Sequence, residues 1–121
     1  MGELQHMFRD IFGDNPTTKI LDFLASHVKF DYTITDIAKY SEVSKPTVYK
    51  VLDTLLKKKI VIITREMGNS SMYKLNTNNP IVKKILNWEL EISKYLADIE
   101  SDKSLQQYKP ILVKGSQPRI A

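Results

Sequence analysis

The chain has 121 residues, of which 42% are hydrophobic and 26% charged, with no cysteine and a net charge of +4. These values are typical of a single-domain globular protein, and they exclude disulfides and thiolate metal sites. No apolar run approaches the ~20 residues that cross a bilayer and no signal-peptide core opens the chain, so we expect a cytoplasmic protein without membrane contact.

The first part of the chain carries three short helical patterns. Residues 3–12 place their apolar side chains on one helical face. A second helix is predicted to begin after an Asn15 N-cap, with Pro16 at its first position. A β-prone stretch over residues 30–34 follows, and Thr35 is the expected N-cap of the third helix.

The fourth helix is predicted to begin at Ser44, whose hydroxyl is expected to accept a hydrogen bond from the Thr47 N–H. Pro46 falls in its first turn, where backbone N–H groups are unpaired in any case. Apolar residues then recur at helical spacing and are assigned to the core: Val48, Val51, Leu52 and Leu55. The outward set that remains is Lys45, Thr47, Tyr49, Lys50 and Thr54.

Two β-type runs, residues 60–67 and 72–76, flank the turn-forming sequence GNSS and predict a hairpin. From Pro80 the helical pattern returns for roughly twenty residues. Residues 102–121 hold two prolines and a glycine without a sustained period, and are expected to form a mobile or partner-ordered tail.

The positive charge is concentrated in one segment. Residues 44–74 carry seven cations and two anions, whereas the rest of the chain carries eleven cations and twelve anions. This excess coincides with the outward face of the fourth helix, and it indicates a polyanionic partner there.

The connection between the third and fourth helices is so short that it predicts a helix-turn-helix. The first two turns of the fourth helix can then enter a DNA major groove and reach base edges. Ser44 and the free N–H groups beside it are suited to a phosphate.

The segments TDIAKYSEVSKPTVYKVLDTLLKKKIV and MYKLN resemble winged helix-turn-helix transcription regulators of the broad MarR-like and TrmB-like kind that is common in archaea. The resemblance covers roughly residues 16–76. It implies a mainly α fold with a small β-hairpin, the hairpin being a wing whose polar tip touches DNA beside the recognition helix. The candidate DNA-binding residues are then Thr35, Ser44, Lys45, Pro46, Thr47, Tyr49, Lys50, Arg65, Asn69 and Ser70, with Lys74 as a further wing residue.

This sequence departs from that family at two positions where glycine is frequent. Glu42 stands in the turn and Lys59 directly after the recognition helix. If both adopt positive φ, each costs very roughly 1 kcal/mol relative to glycine.

The long C-terminal helix carries apolar residues at alternating spacings of three and four, which is an a/d seam. Together with the first helix it predicts a homodimer on palindromic double-stranded DNA. The expected interface is Leu4, Phe8, Ile11, Ile85, Trp88, Ile92, Tyr95 and Ile99. The predicted divisions are dimerisation helices over 1–14 and 80–101, a DNA-binding domain over 15–79, and the tail over 102–121.

Several alternatives remain open at this point. Tyr49 can pack on the wing instead of DNA, Thr35 can serve only as a cap, and Arg65 can pair with Glu66 or Asp53. The first helix and the long helix can also cover one another within a monomer. A winged helix can serve as a protein-docking module of a replication, partition or basal transcription complex, with residues 102–121 binding a protein partner.

An enzyme is not expected. The chain has only two histidines, His6 and His27, which fall on different helices, and it has no nucleophile motif and no glycine-rich phosphate loop. We therefore predict no metal and no cofactor. The resemblance leaves an archaeal or a viral source equally open.

Overall fold

The computed structural model describes residues 6–101, so the predicted tail and the interface residue Leu4 lie outside the described residues. The described part falls into two compact units, one ending at Glu89 and the other beginning at Leu90. No helix in residues 6–101 is long and apolar enough to cross a membrane. The elements in order are α1 (Met7–Phe12), α2 (Pro16–Ser26), α3 (Ile34–Ser41), α4 (Lys45–Lys57), β1 (Val61–Met67), β2 (Ser70–Leu75) and α5 (Pro80–Ser101).

Helix α2 begins where the sequence predicted. The Asn15 Oδ1 accepts a hydrogen bond from the Thr18 N–H at 3.0 Å, and the Thr18 Oγ1 accepts one from the Asn15 N–H at 3.1 Å. This capping box satisfies two backbone donors reciprocally, and Pro16 occupies the first helical position without losing a bond.

A buried carboxylate joins α1 to α2. The Asp22 side chain accepts hydrogen bonds from the Phe8 N–H at 2.8 Å and from the Arg9 N–H and Nε at 3.2 and 3.1 Å. Asp22 is almost fully buried. The paired charge and the three donors offset the cost of desolvating the carboxylate, so Asp22 fixes α1 on the first unit.

Helix α3 begins two residues earlier than predicted, so the prediction of Thr35 as N-cap is wrong. Thr33 is the cap, and its Oγ1 accepts a hydrogen bond from the Asp36 N–H at 3.1 Å. The predicted strand over residues 30–34 reduces to one β-bridge, in which the backbones of Tyr32 and Tyr73 exchange two bonds of 2.8 Å. Because the bridge holds Tyr32 extended, the helix begins directly after it.

Helix α4 has Ser44 as its N-cap, as predicted, but the side chain does not cap the backbone. The Ser44 hydroxyl donates instead to the Thr47 Oγ1 at 3.0 Å. The expected bond to the Thr47 N–H is therefore wrong. The start of α4 keeps backbone donors that its own cap does not use.

The core of the first unit is formed by the apolar faces of its helices and of the hairpin. The apolar face of α4 supplies Val48, Leu52 and Leu55, all buried. They pack with residues from the other elements: Ile20, Leu24, Ile34, Ile37, Val61, Tyr73, Leu75 and Val82. Burial of the inward face of α4 leaves its opposite face to solvent, which positions the candidate site.

Strands β1 and β2 form an antiparallel hairpin. Val61 pairs with Leu75 and Met67 with Ser70, but the register shifts between Ile63 and Arg65. This β-bulge bends β1 midway along the hairpin.

Both positions where glycine was expected adopt positive φ, with Glu42 at 59° and Lys59 at 61°. Glu42 closes α3 through its N–H bond to the Ala38 carbonyl. The Lys59 carbonyl accepts bonds from the Asn76 and Asn79 side-chain amides at 3.0 and 2.9 Å. The turns therefore keep this geometry despite the steric cost of a Cβ.

We expect Glu42→Gly to raise the free energy of unfolding by about 0.5–1 kcal/mol, because glycine adopts the left-handed conformation without a Cβ clash. Denaturant unfolding monitored by circular dichroism measures this change. Glu42→Ala is the matched control, since alanine keeps the Cβ. An equal gain from both variants would show that loss of the glutamate side chain is responsible.

A buried hydroxyl at the end of α3 has no hydrogen-bond partner among the described residues. This group is the Ser41 Oγ. We expect Ser41→Ala to stabilise the fold by up to about 1 kcal/mol, because alanine removes an unpaired polar group. The control is Ser26→Ala, which removes an exposed helical hydroxyl that is already paired with the Asp22 carbonyl at 2.8 Å and should therefore give a smaller gain. Equal shifts of the two thermal midpoints would contradict this expectation.

Candidate nucleic-acid interface

Helix α4 separates two sets of side chains cleanly. Val48 is fully buried, whereas Tyr49 is 59% exposed. Lys45, Pro46 and Lys50 are also exposed and Thr47 is half-buried. Hydroxyl, aromatic and cationic groups are thus presented on one side of the helix, mainly over its first two turns.

The first turns of α4, the start of α3 and the hairpin tip enclose one groove of about 210 Å³. It brings together five of the predicted residues, which are far apart in sequence: Thr35, Lys45, Tyr49, Asn69 and Ser70. Sequence reasoning missed Thr33 and Ser71, which also line it. The T-x-x-D pattern of residues 33–36, which is typical of a helix N-cap, could have identified Thr33. No local sequence pattern identifies Ser71.

The other side of α4 has a shallow depression of about 250 Å³. Lys50 lines it together with Thr54, Val51, Leu55 and Thr17 of α2. Lys50 therefore lies on the opposite flank of α4 from the groove that holds Lys45. Thr17 was not among the predicted residues.

The hairpin tip is open. Gly68 has φ of 64°, and a Cβ built there would have no atom within 4 Å. Asn69 and Ser70 follow at the tip and are exposed. A polar, uncrowded tip beside a cationic helix start is suited to following the backbone of a polyanion.

Residues 17–61 match the family model of the IclR helix-turn-helix domain. That range covers α2 from its second residue, the whole of α3 and α4, and ends at the first residue of β1. No curated protein matches the chain by sequence.

Solved structures share the fold. MepR, a transcription regulator of the Staphylococcus aureus multidrug efflux pump MepA, is 23% identical with a TM-score of 0.55, over 93% of this chain and 84% of that one. A MarR-family transcriptional regulator from Silicibacter pomeroyi is 16% identical with a TM-score of 0.55, over 100% and 86%. A MepR variant bound to an oligodeoxyribonucleotide is 22% identical with a TM-score of 0.55, over 93% and 84%.

The chain is a winged helix-turn-helix protein. The fold predicted from the sequence is confirmed by the hairpin, the helix order and these neighbours. In this fold α4 occupies the position of the recognition helix and the β1–β2 hairpin that of the wing.

Arg65, predicted as a wing contact, does not line the groove beside the recognition helix. Its guanidinium pairs with Asp31, Nε to Oδ2 at 3.1 Å and Nη2 to Oδ1 at 3.3 Å. The two acids considered from the sequence have other partners. Asp53 pairs with Lys57 at 3.1 Å, and Glu66 accepts from the Ser71 hydroxyl at 2.8 Å. The alternative that Arg65 pairs with Glu66 or Asp53 is therefore wrong, because its partner is Asp31.

The residues predicted for a dimer interface differ in how far their side chains are exposed to solvent. Phe8 is 4% exposed and is packed within its own chain. Ile11, Phe12 and Trp88 are exposed, and the Phe12 and Trp88 ring centroids lie 5.4 Å apart. On α5, Tyr95 is also exposed, whereas Ile85, Ile92 and Ile99 are half-buried.

A cavity of about 330 Å³ lies between α1, α2 and the end of α3. His6 and His27 line it, together with Arg9, Asp22 and Tyr40. Arg9 is already held there by its ion pair with Asp22. No group of described acidic or histidine side chains is placed to hold a metal ion.

Proposed function

We propose that this protein is a sequence-specific, double-stranded DNA-binding transcription regulator that acts as a homodimer. The recognition helix enters the major groove, and the wing follows the backbone or the adjacent minor groove. The observation that supports this most strongly is the single groove that joins the first turns of the recognition helix to the wing tip.

The proposed contacts follow from chemistry and position. Lys45 and Lys50, on opposite flanks of the recognition helix, neutralise phosphates. The start of the recognition helix, with Ser44, Pro46 and Thr47, approaches base edges and the backbone, and the unused N–H groups there favour a phosphate. Tyr49 of the recognition helix lines the groove together with the wing tip and offers its hydroxyl to the wing or to DNA.

The wing and the start of α3 complete the footprint. Asn69 and Ser70 at the wing tip contact the backbone or minor groove. Thr35, although not a helix cap, is exposed in the first turn of α3 on the same groove. These contacts fix register, while the recognition helix selects sequence.

The exposed apolar residues Ile11, Phe12, Trp88 and Tyr95 support a dimer built from α1 and α5. A twofold dimer places two recognition helices about one DNA turn, roughly 34 Å, apart and therefore prefers palindromic sites. The protein acts by occupying its site rather than by catalysis, and we place it in the cytoplasm.

Selection of bound fragments from sheared genomic DNA, followed by sequencing, tests this function. We expect enriched fragments to share a palindrome with half-sites about ten base pairs apart. If no sequence is enriched, and a pulldown with the same protein retains protein partners instead, the result would contradict the proposal and favour a docking role. Duplexes with one half-site scrambled are the matched control.

A further inference from the structure

The connection between α2 and α3 is tied to the wing at two adjacent residues. The Tyr32 backbone bridges to Tyr73 of β2. The neighbouring Asp31 carboxylate accepts hydrogen bonds from Arg65 and from the Thr64 hydroxyl, both on β1. Because β2 pairs with Tyr32 on one side and with β1 on the other, the Asp31 side chain reaches across β2 to hold β1.

The contact falls on the irregular point of the wing. The strand register shifts between Ile63 and Arg65, so Thr64 is the extra residue of the bulge. A bulge increases the local bend and twist of a strand, and an isolated two-stranded hairpin is only marginally rigid. The contacts that hold Thr64 and Arg65 therefore fix the direction of the outer part of the wing relative to the rest of the first unit.

The contact is an ion pair between one carboxylate, Asp31, and one guanidinium, Arg65. Asp31 is 17% exposed and Arg65 is 57% exposed in their side chains. Hydrogen bonds from Arg65 and then Thr64 lower the pKa of Asp31 below its ordinary value. A lowered carboxyl pKa means that the pair holds at neutral pH and is lost only as the pH falls through that lowered value.

We propose that Asp31 is a positioning residue for DNA binding, which through Arg65 and Thr64 fixes the wing so that Asn69 and Ser70 lie beside the recognition helix. Arg65 supports the wing from behind the groove and does not itself bind phosphate. This inference rests on the proposed DNA-binding function.

Asp31→Ala and Arg65→Ala are each expected to weaken duplex binding by about tenfold, with the double variant no weaker than either alone, because both remove one shared contact. The salt dependence of binding should keep its slope in Arg65→Ala, because no phosphate contact is lost. Thermal midpoints should change little, because an exposed ion pair contributes little to global stability. If Asp31→Ala does not fold, Asp31→Asn, which keeps an acceptor and removes the charge, provides the same comparison.

Two further variants separate support from direct contact. The charge-reversed pair Asp31→Arg with Arg65→Asp should recover most of the affinity, because the ion pair is rebuilt in the opposite sense. Glu66→Gln is the matched control for loss of an anion from the wing; its amide oxygen can still accept from the Ser71 hydroxyl, and it should not weaken binding.

Two results would overturn the inference while leaving DNA binding intact. One is tighter binding by Asp31→Ala, and the other is a charge-reversed pair that binds more weakly than Arg65→Ala with a lower salt slope. Either would show that Arg65 contacts DNA directly and that Asp31 competes for it. Failure of the unsubstituted protein to bind any duplex would refute the proposed function and this inference together.

Discussion

Replacing both Lys45 and Lys50 with alanine is expected to weaken duplex binding by about 60- to 100-fold per half-site near 0.1 M salt. Each phosphate contact releases roughly 0.9 of a counterion, so it contributes about eightfold in affinity at that ionic strength. The two lysines lie on opposite flanks of the recognition helix and belong to separate surface depressions. We therefore expect their effects to add.

Fluorescence anisotropy with a labelled operator duplex measures this loss across a salt series. The slope of log affinity against log salt should fall by about two per half-site in the double variant, and so by about four for a dimer on its full operator. The matched control is Lys83→Ala with Lys84→Ala, which removes the same charge from two exposed residues of α5. An equal loss in that control would assign the effect to net charge alone.

The second large effect concerns the dimer. Ile92→Asp with Tyr95→Asp is expected to convert the protein to a monomer at about 10 µM and to weaken binding to a palindromic duplex at least about 100-fold. Two carboxylates in an apolar seam would have to be desolvated, and two half-sites read by one dimer gain about 10²–10⁴ over a single site. Tyr95 is 56% exposed within one protomer, so its replacement should leave the protomer folded.

Light scattering after size exclusion measures the mass, and circular dichroism checks the fold. Lys94→Asp is the control, because Lys94 is exposed and falls outside the a/d positions. A variant that remains dimeric would show that this seam is not the interface. A monomeric variant that binds the palindrome at full affinity would show that dimerisation is not needed for recognition.

The sequence predicted those parts of the fold that depend on local spacing. The 3, 4 and 7 residue intervals of Val48, Val51, Leu52 and Leu55 require one buried face, and the structure buries or half-buries all four. The hairpin and the start of α2 follow from turn and capping chemistry within a few residues.

The misses depend on contacts between distant residues. Thr33 and Thr35 are both reasonable caps by sequence, and only the bridge from Tyr32 to Tyr73 decides between them. Asp31 and Arg65 are 34 residues apart, so local charge patterns pointed to closer acids.

The candidate site likewise contains residues that local spacing predicts and residues that only contacts between distant elements bring together. The outward residues of the recognition helix could be named from its period, because burying one face leaves the other exposed. The sequence did not show that Thr33 and Ser71 would line the same groove, because that depends on how the wing packs against the start of α3.

Amide resonances of the isotope-labelled protein, followed during titration with an operator duplex, test the central claim most directly. We expect the largest changes over residues 44–50 and 68–71, where the recognition helix and the wing tip meet the groove. Saturable DNA binding that leaves these resonances unchanged while shifting those of α5 would contradict the assignment of this face to nucleic acid.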